Sequence, residues 1–310
     1  MDFLEVGGVC IEALAAYVPA RAVANDEKVA KATGIAERRI AADGETSLDL
    51  SLRAAERVFS ETGARAGDFG AVVSVSFTQH DRMPCGACQA QARLGLSKDV
   101  IAFDVMQACA GYGYGLYISA LLVQQTGKKV LLLDGDKQSE FLDSGDAATS
   151  PLLGDAGTAT VVGRADGASW RFAFASDGEK GGALKLENGG SIQMDGFGVF
   201  RFVATDVVAR LKAFLASAVT EGDFLFAPHQ ANVYMVRQLA KSVGISEDRL
   251  LVSADRFGNL SSASIPVTIA AHPDRVKGSR MLIAGFGGGL SVALGIIDVS
   301  ASSKVILIDG

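Results

Sequence analysis

Three residues of this chain, Cys109, His229 and Asn259, are of types that together can move an acyl group. Cys109 lies in IAFDVMQACAGYGYGLYISALLVQ, residues 101–124. A short apolar run at 101–105, broken by Asp104, leads into a turn at 107–111. From Tyr112 onward no ionised side chain occurs before Lys128. The pattern predicts a strand, a sharp turn and a helix that is apolar, hence buried, on every side. Cys109 is thereby expected at the N-terminus of a buried helix, where the macrodipole and unpaired N–H groups favour an anion and stabilise the thiolate. A thiolate exchanges acyl groups readily with thioesters. A cysteine by itself is more simply a small buried apolar residue, but two further stretches point to chemistry. PHQAN, residues 228–232, supplies His229, the usual proton acceptor for a cysteine nucleophile. DRFGNLSSASIP, residues 255–266, supplies Asn259, whose amide is a neutral donor for a developing oxyanion. Gly287, Gly288 and Gly289 form either a tight bend or a place where a backbone N–H meets a thioester oxygen without a Cβ in the way.

Strands and helices must position these residues, and the chain alternates them. A strand at 9–18 ends at Pro19. A short helix capped by Asn25 or Asp26 closes at Gly34. A helix over 46–62, with Leu48, Leu52, Ala55, Val58 and Phe59 on one face, stops at Gly63. A buried strand at 71–77 and a helix at 84–94 precede the Cys109 segment, and strands at 129–135 and 155–162 follow it. The second half repeats the rhythm: strand 170–175, a long amphipathic helix 197–219, strand 224–227 running into His229, helix 233–243 and strand 250–254. Helix 261–271, strand 280–285, the glycine turn and a last strand at 290–299 complete it. His229 therefore falls in a loop at a strand end, where α/β folds place ligands. Residues 152–163 and 282–295 share an apolar lead, a glycine-rich turn and an apolar strand. They suggest a weak duplication, with a half at 1–165 carrying the nucleophile and a half at 166–310 carrying the histidine and asparagine. The alternation argues for an α/β fold around an apolar sheet.

The composition is that of an ordinary globular protein: 310 residues, 49% hydrophobic and 21% charged. A net charge of −6 argues against general nucleic-acid binding. The N-terminus carries Asp2, Glu5 and Glu12 with no basic lead, unlike a signal peptide, and no uncharged run is long enough to span a bilayer. Free thiols suit a reducing cytoplasm. Cys85 and Cys88 form a C-x-x-C, but no second pair gives zinc spacing, so they are read as the start of a helix. His80 and His272 are read as structural or surface residues. GYGYG at 111–115 is not a dinucleotide loop, because the third glycine of that fingerprint falls on Leu116.

FDVMQACAGYGYGL, PHQAN, DRFGNLSSASIP and GFGGGL, in this order, resemble the signature stretches of the β-ketoacyl-acyl-carrier-protein synthase III family. Fainter likeness runs from TGIAERRIA at 33–41 almost to the end of the chain. The resemblance implies an α/β thiolase-like fold, a duplicated α-β-α-β-α five-layer sandwich, and no metal or organic cofactor. It implies Cys109, His229 and Asn259 as catalytic residues and the N–H groups of Cys109 and Gly288 as an oxyanion hole. An acyl thioester, on acyl carrier protein or coenzyme A, would acylate Cys109. Malonyl-acyl carrier protein would then lose carbon dioxide while His229 and Asn259 donate to its thioester carbonyl, and the enolate would attack the acyl group. Phe286 would border the acyl pocket. Met83 would reach across a homodimer interface to cap the partner's pocket. Arg201, Arg210, Lys212, Arg237 and Lys241 would face an acidic carrier protein. The chain departs from the family at Lys28, Ala32 and Ala147, where a tryptophan and two arginines normally contact coenzyme A. The tail ASSKVILIDG extends past the expected end. Two other readings are an acyltransferase of the same fold passing its acyl group to a hydroxyl or amine, and a non-catalytic subunit. Retention of Asn259 speaks against the first, and retention of all three residue types against the second.

Overall fold

The computed structural model describes residues 2–218 and 223–310. Its strands are β1 (Leu4–Val18), β2 (Arg21–Ala24), β3 (Glu37–Ile40), β4 (Phe69–Val75), β5 (Ile101–Val105), β6 (Lys129–Lys137), β7 (Asp155–Ser176), β8 (Leu184–Leu186), β9 (Ile192–Met194), β10 (Leu225–Pro228), β11 (Arg280–Gly287) and β12 (Ser291–Asp309). Eight of them pair in the order β10-β11-β12-β1-β7-β6-β4-β5, and β2-β3 and β8-β9 are separate hairpins.

Side chains of one strand point alternately to the two sheet faces, so a strand apolar on both faces is covered on both. In β4, Ala71, Val73 and Val75 join the central cluster while Phe69 and Val72 join an outer one. The outer cluster is covered by α2 (Ser47–Thr62) and α3 (Gly86–Arg93). The central cluster takes in α4 (Gly111–Thr126) and a short helix at Ser264–Ala270, with strand residues from both halves, among them Val73, Leu132, Ala227 and Ile283. A third cluster sets Leu211, Phe214, Val236 and Leu239, on helices Val208–Ala218 and Val233–Ser242, against Leu282, Ala284 and Leu294. The layers thus run helix, sheet, helix, sheet, helix, as the five-layer expectation had it.

Local signals placed several boundaries. Asp26 accepts the Val29 N–H and Gly34 closes Glu27–Thr33 in a left-handed conformation. Thr46 and Asp49 make a reciprocal capping box on α2, and Gly63 ends it. Other expectations need correction. The strands expected at 155–162 and 170–175 are one strand, β7, because β1 pairs along its whole length, from Leu4 with Phe172 to Tyr17 with Gly157. Residues 250–254 form no strand: Leu250 makes only an isolated bridge to Phe226, and a helical turn, Ala254–Phe257, takes over. The helix expected at 197–219 widens by a residue per turn at Val203–Val207, and Val219 lies outside the described residues. Leu121 is 37% exposed and Gln124 and Gln125 are exposed too, so α4 surfaces in its C-terminal part rather than being buried all round. The tail continues β12 and pairs in parallel with β1, Lys304 opposite Ala13 through Asp309 opposite Val18. Asp309 holds the buried Arg39 at 2.5 Å. No helix among the described residues is long and apolar enough to cross a membrane.

Candidate active site

The turn before α4 brings Cys109 to the end of β11. A single turn of 3-10 helix, Ala108–Ala110, carries it, and Ala108 sits at a φ of 39°, in the sparsely allowed left-handed region. The approach of β11 requires glycine. A Cβ on Gly285 would lie 2.9 Å from the Ala110 Cα, and one on Gly287 would lie 2.9 Å from the Cys109 Sγ. This contact brings the Gly288 N–H to bear on the Cys109 side chain alongside the N–H of Cys109 itself.

The state of that thiol corrects the sequence reading. Burial pushes its pKa up to about 12, and the Ser261 hydroxyl and Gly288 N–H only partly offset this. The resting Cys109 side chain is a thiol. The helix dipole acts within about one turn, whereas desolvation acts on the whole buried sulfur and favours the neutral form.

His229 leaves the end of β10 into the core and is only 2% exposed. Its Nδ1 lies 3.0 Å from the Ser261 carbonyl and 2.8 Å from the Ser264 hydroxyl. A carbonyl can only accept, so Nδ1 carries the hydrogen and Nε2 has the lone pair. Burial lowers the ring's pKa to about 4, with the Ser261 carbonyl pulling the other way, so the ring is neutral at pH 7. In this tautomer Nε2 accepts, and the expected role as a neutral donor requires the hydrogen on Nε2 instead. The ring stands edge-on to Phe286 at 5.3 Å.

The Asn259 loop is held from both ends. Its N–H donates to the Leu152 carbonyl, and its carbonyl receives the Gly154 N–H and the Gln138 Nε2, the latter at 2.8 Å. Its Oδ1 accepts the Ser261 N–H at 3.0 Å, which leaves Nδ2 as the free donor. Instead of a helix from 261, the chain makes a 3-10 turn at Ser261–Ala263, with Ser261 at a φ of 54°. This aims the Ser261 carbonyl at His229 and its hydroxyl at Cys109, 4.0 Å from Sγ.

Cys109, Asn259 and Gly288 line one cavity of 90 Å³, otherwise walled largely by apolar side chains such as Phe77, Leu153, Leu186 and Ile192. The β8–β9 hairpin forms one side of it. The buried His229 and Phe286 do not line this cavity, and neither does Met83, which is 88% exposed. Arg201, Arg237 and Lys241 are exposed, and Arg237 pairs with Glu247 at 2.9 Å. Lys28, Ala32 and Ala147 are exposed too. Cys85 precedes α3 at the N-cap position with no side-chain capping bond and Cys88 is exposed; both are free thiols. His80 is exposed, and His272 bonds the Thr268 carbonyl.

The sequence reading missed Ser261, Ser264, Gln138 and a buried acidic pair. Asp134 and Asp136 sit in β6 after its apolar run at 130–133, each fully buried. Asp136 Oδ1 accepts from Ser76 Oγ, the Phe77 N–H and Thr78 Oγ1 at 2.9 to 3.0 Å. Asp134 accepts from Ser262 Oγ at 2.6 Å. Burial raises both carboxyls, Asp136 to about 6. The signal was present in KVLLLDGDK: a carboxylate in a buried strand must have partners.

Comparison with known proteins gives matches over both halves. Residues 103–178 match the family model for 3-oxoacyl-[acyl-carrier-protein] synthase III and residues 216–299 its C-terminal counterpart. The chain is 31% identical to a β-ketoacyl-[acyl-carrier-protein] synthase III of Aliarcobacter butzleri, over 90% of this chain and 94% of that one. It is 33% identical to one from Listeria welshimeri, over 89% and 94%. Among solved structures it is similar to a 3-oxoacyl-(acyl-carrier protein) synthase from Burkholderia xenovorans, with a TM-score of 0.93 and 30% identity over 99% of this chain and 98% of that one. A synthase III from Thermus thermophilus aligns with a TM-score of 0.86 and 32% identity over 93% and 98%.

Proposed function

The chain belongs to the 3-oxoacyl-[acyl-carrier-protein] synthase III family and is a condensing acyltransferase of thiolase-like fold, and we propose that Cys109, His229 and Asn259 carry its two half-reactions. One observation carries this assignment: Cys109 and Asn259 share a cavity with Gly288, whose N–H acts on the Cys109 sulfur. In the first half, His229 Nε2 takes the thiol proton as Sγ attacks the acyl thioester. The N–H groups of Cys109 and Gly288 hold the oxyanion. The carrier leaves as a thiolate and takes the proton back from His229, so the ring ends neutral. In the second half, Asn259 Nδ2 donates to the thioester carbonyl of malonyl-acyl carrier protein. His229 joins as a donor once its hydrogen moves to Nε2, a tautomer the Ser264 hydroxyl supports by turning to donate to Nδ1. Carbon dioxide leaves, and the enolate attacks the acyl carbon on Cys109.

The donor and assembly belong to the same reading. The exposed Lys28, Ala32 and Ala147 offer neither an aromatic stack nor guanidinium groups for coenzyme A, which favours acyl carrier protein docked near Arg201, Arg237 and Lys241. β5 ends the main sheet, and beside it Ile101 is 44% exposed, Met106 70% and Met83 88%. An unpaired edge with exposed apolar side chains is a surface for a second copy, so the working form is a homodimer in which Met83 closes the partner's acyl pocket. The site of action is the cytoplasm, where the free thiols of Cys85 and Cys88 stay reduced.

Acylation mapped by peptide mass spectrometry tests the assignment. Incubation with acyl-acyl carrier protein should place the acyl group on Cys109 and leave Cys109→Ala unlabelled. Label on Cys85 or Cys88 in both proteins would overturn it.

A further inference from the structure

Condensation leaves a proton debt that the residues named so far do not meet. The malonyl thioester gives up carbon dioxide, and the electron pair of the broken bond becomes an enolate. The enolate carbon bonds the acyl carbon, the C–S bond breaks, and its electron pair stays on Cys109 Sγ. To return to its resting thiol form, Cys109 must gain one proton. At that moment the small, largely apolar cavity in front of Cys109 holds the product's arm, and the neutral His229 has its one ring hydrogen engaged in a hydrogen bond.

A second route reaches the sulfur from behind. On the α2 side of the sheet lies a polar pocket of 110 Å³, lined by Ser47, Ser51, Ser74 and Ser76 among others. Ser76 is buried at its floor, and its hydroxyl donates to Asp136 Oδ1 at 2.9 Å. The other oxygen, Asp136 Oδ2, is buried with no hydrogen-bond partner among the described residues. The Ser261 hydroxyl also acts on this carboxyl, and the same hydroxyl lies 4.0 Å from Cys109 Sγ. Groups that can pass a proton therefore line up from a solvent-open pocket to the nucleophile: Ser76, Asp136, Ser261 and Cys109. A buried carboxylate oxygen left without a full hydrogen bond is costly, and a place in a proton relay gives a reason for keeping it.

We propose that Asp136 returns the proton to Cys109 after each condensation, through the Ser261 hydroxyl, and is itself reprotonated from the polar pocket by way of Ser76. Ser261 Oγ–H protonates Sγ, Asp136 reprotonates Ser261, and the pocket reprotonates Asp136, so one proton enters per turnover. A carboxyl that burial holds near 6 exchanges protons readily close to neutrality.

This inference rests on the condensing function proposed above. The test is rapid-quench product formation from pre-acylated enzyme with malonyl-acyl carrier protein and excess acyl donor. Asp136→Asn keeps an amide oxygen for the donors on Oδ1 but carries no exchangeable acid. It should show a burst of about one β-ketoacyl product per site at the wild-type rate, then turn over roughly tenfold slower or more. Deuterium oxide should slow the second phase and not the burst. Ser261→Ala should behave alike. Ser76→Ala, which leaves the other Asp136 contacts in place, should show the same pattern more weakly and serves if Asp136→Asn does not fold. Burst and steady state slowed equally, or no slowing in any of the three variants, overturns the relay. A wild-type enzyme that forms no β-ketoacyl product at all would instead overturn the condensing function.

Discussion

At Cys109 two electrostatic influences oppose each other, and their balance is measurable. The N–H groups of the turn and of Gly288 favour the thiolate, while burial favours the thiol and holds its pKa at about 12. The thiolate fraction therefore grows with pH across the whole accessible range. In the unacylated enzyme, Cys109 alkylation by iodoacetamide should accelerate roughly tenfold per pH unit up to about pH 10, with no plateau. A plateau near pH 7 or 8 would mean that the dipole wins. Asn259 tests the division of labour. In the mechanism proposed above, acyl transfer uses backbone N–H groups and His229 Nε2, whereas decarboxylation uses the Nδ2 that the Ser261 N–H leaves available by holding Oδ1. Asn259→Ala should still self-acylate but condense with malonyl-acyl carrier protein roughly 10²-fold more slowly, the usual cost of one oxyanion donor. Condensation at the wild-type rate would return the same-fold acyltransferase to consideration.

Elements matter here for how they hold one another at the site. Asp104, which interrupts the apolar β5, looked like a blemish in the sequence. Its two oxygens accept the N–H groups of Gly86 and Ala87, at 2.7 and 2.8 Å, so it caps the neighbouring α3 from the adjoining strand. The carboxylate also meets the positive end of the α3 dipole. Asp104→Ala should lower stability by about 1–2 kcal/mol, the range for losing a good helix cap. The urea midpoint reads this, and Asp104→Asn should recover much of it. An unchanged midpoint in Asp104→Ala would mean that α3 is held by its packing alone.

For the whole molecule, the shared strands join what we read as two halves, 1–165 and 166–310. β1 pairs with β7 from end to end, and β12 pairs with β11 and β7 before running on beside β1. The tail thereby ties the last residues to the first strand and to Arg39. Carrier selection is also a property of the whole surface. With exposed residues at positions 28, 32 and 147 that offer coenzyme A no stacking ring or guanidinium, acylation of Cys109 should be faster from acyl carrier protein than from the same acyl chain on coenzyme A. Second-order rate constants at rising salt should show that preference shrinking, since exposed charges are screened over about 10 Å at 0.1 M salt. A salt-insensitive preference for acetyl-coenzyme A would oppose docking at Arg201, Arg237 and Lys241.

Short-range rules made much of this protein legible from its sequence. The caps at Asp26 and Thr46, the left-handed glycines 34 and 63 and the alternating apolar strands depend on residues a few positions apart, so the pattern states them directly. The motifs around Cys109, His229 and Asn259 likewise travel as local units. What the tertiary structure decided lies between segments distant in the chain. Whether Cys109 is a thiol depends on how completely β11 and the Ser261 turn bury it. Which nitrogen of His229 carries hydrogen depends on a carbonyl 32 residues away. β7 is one strand because β1 bridges the gap that composition suggested, and residues 250–254 are not a strand because β10 offers only an isolated bridge. Desolvation and pairing are set by what arrives from elsewhere in the chain, and a linear pattern records only the residue that receives them.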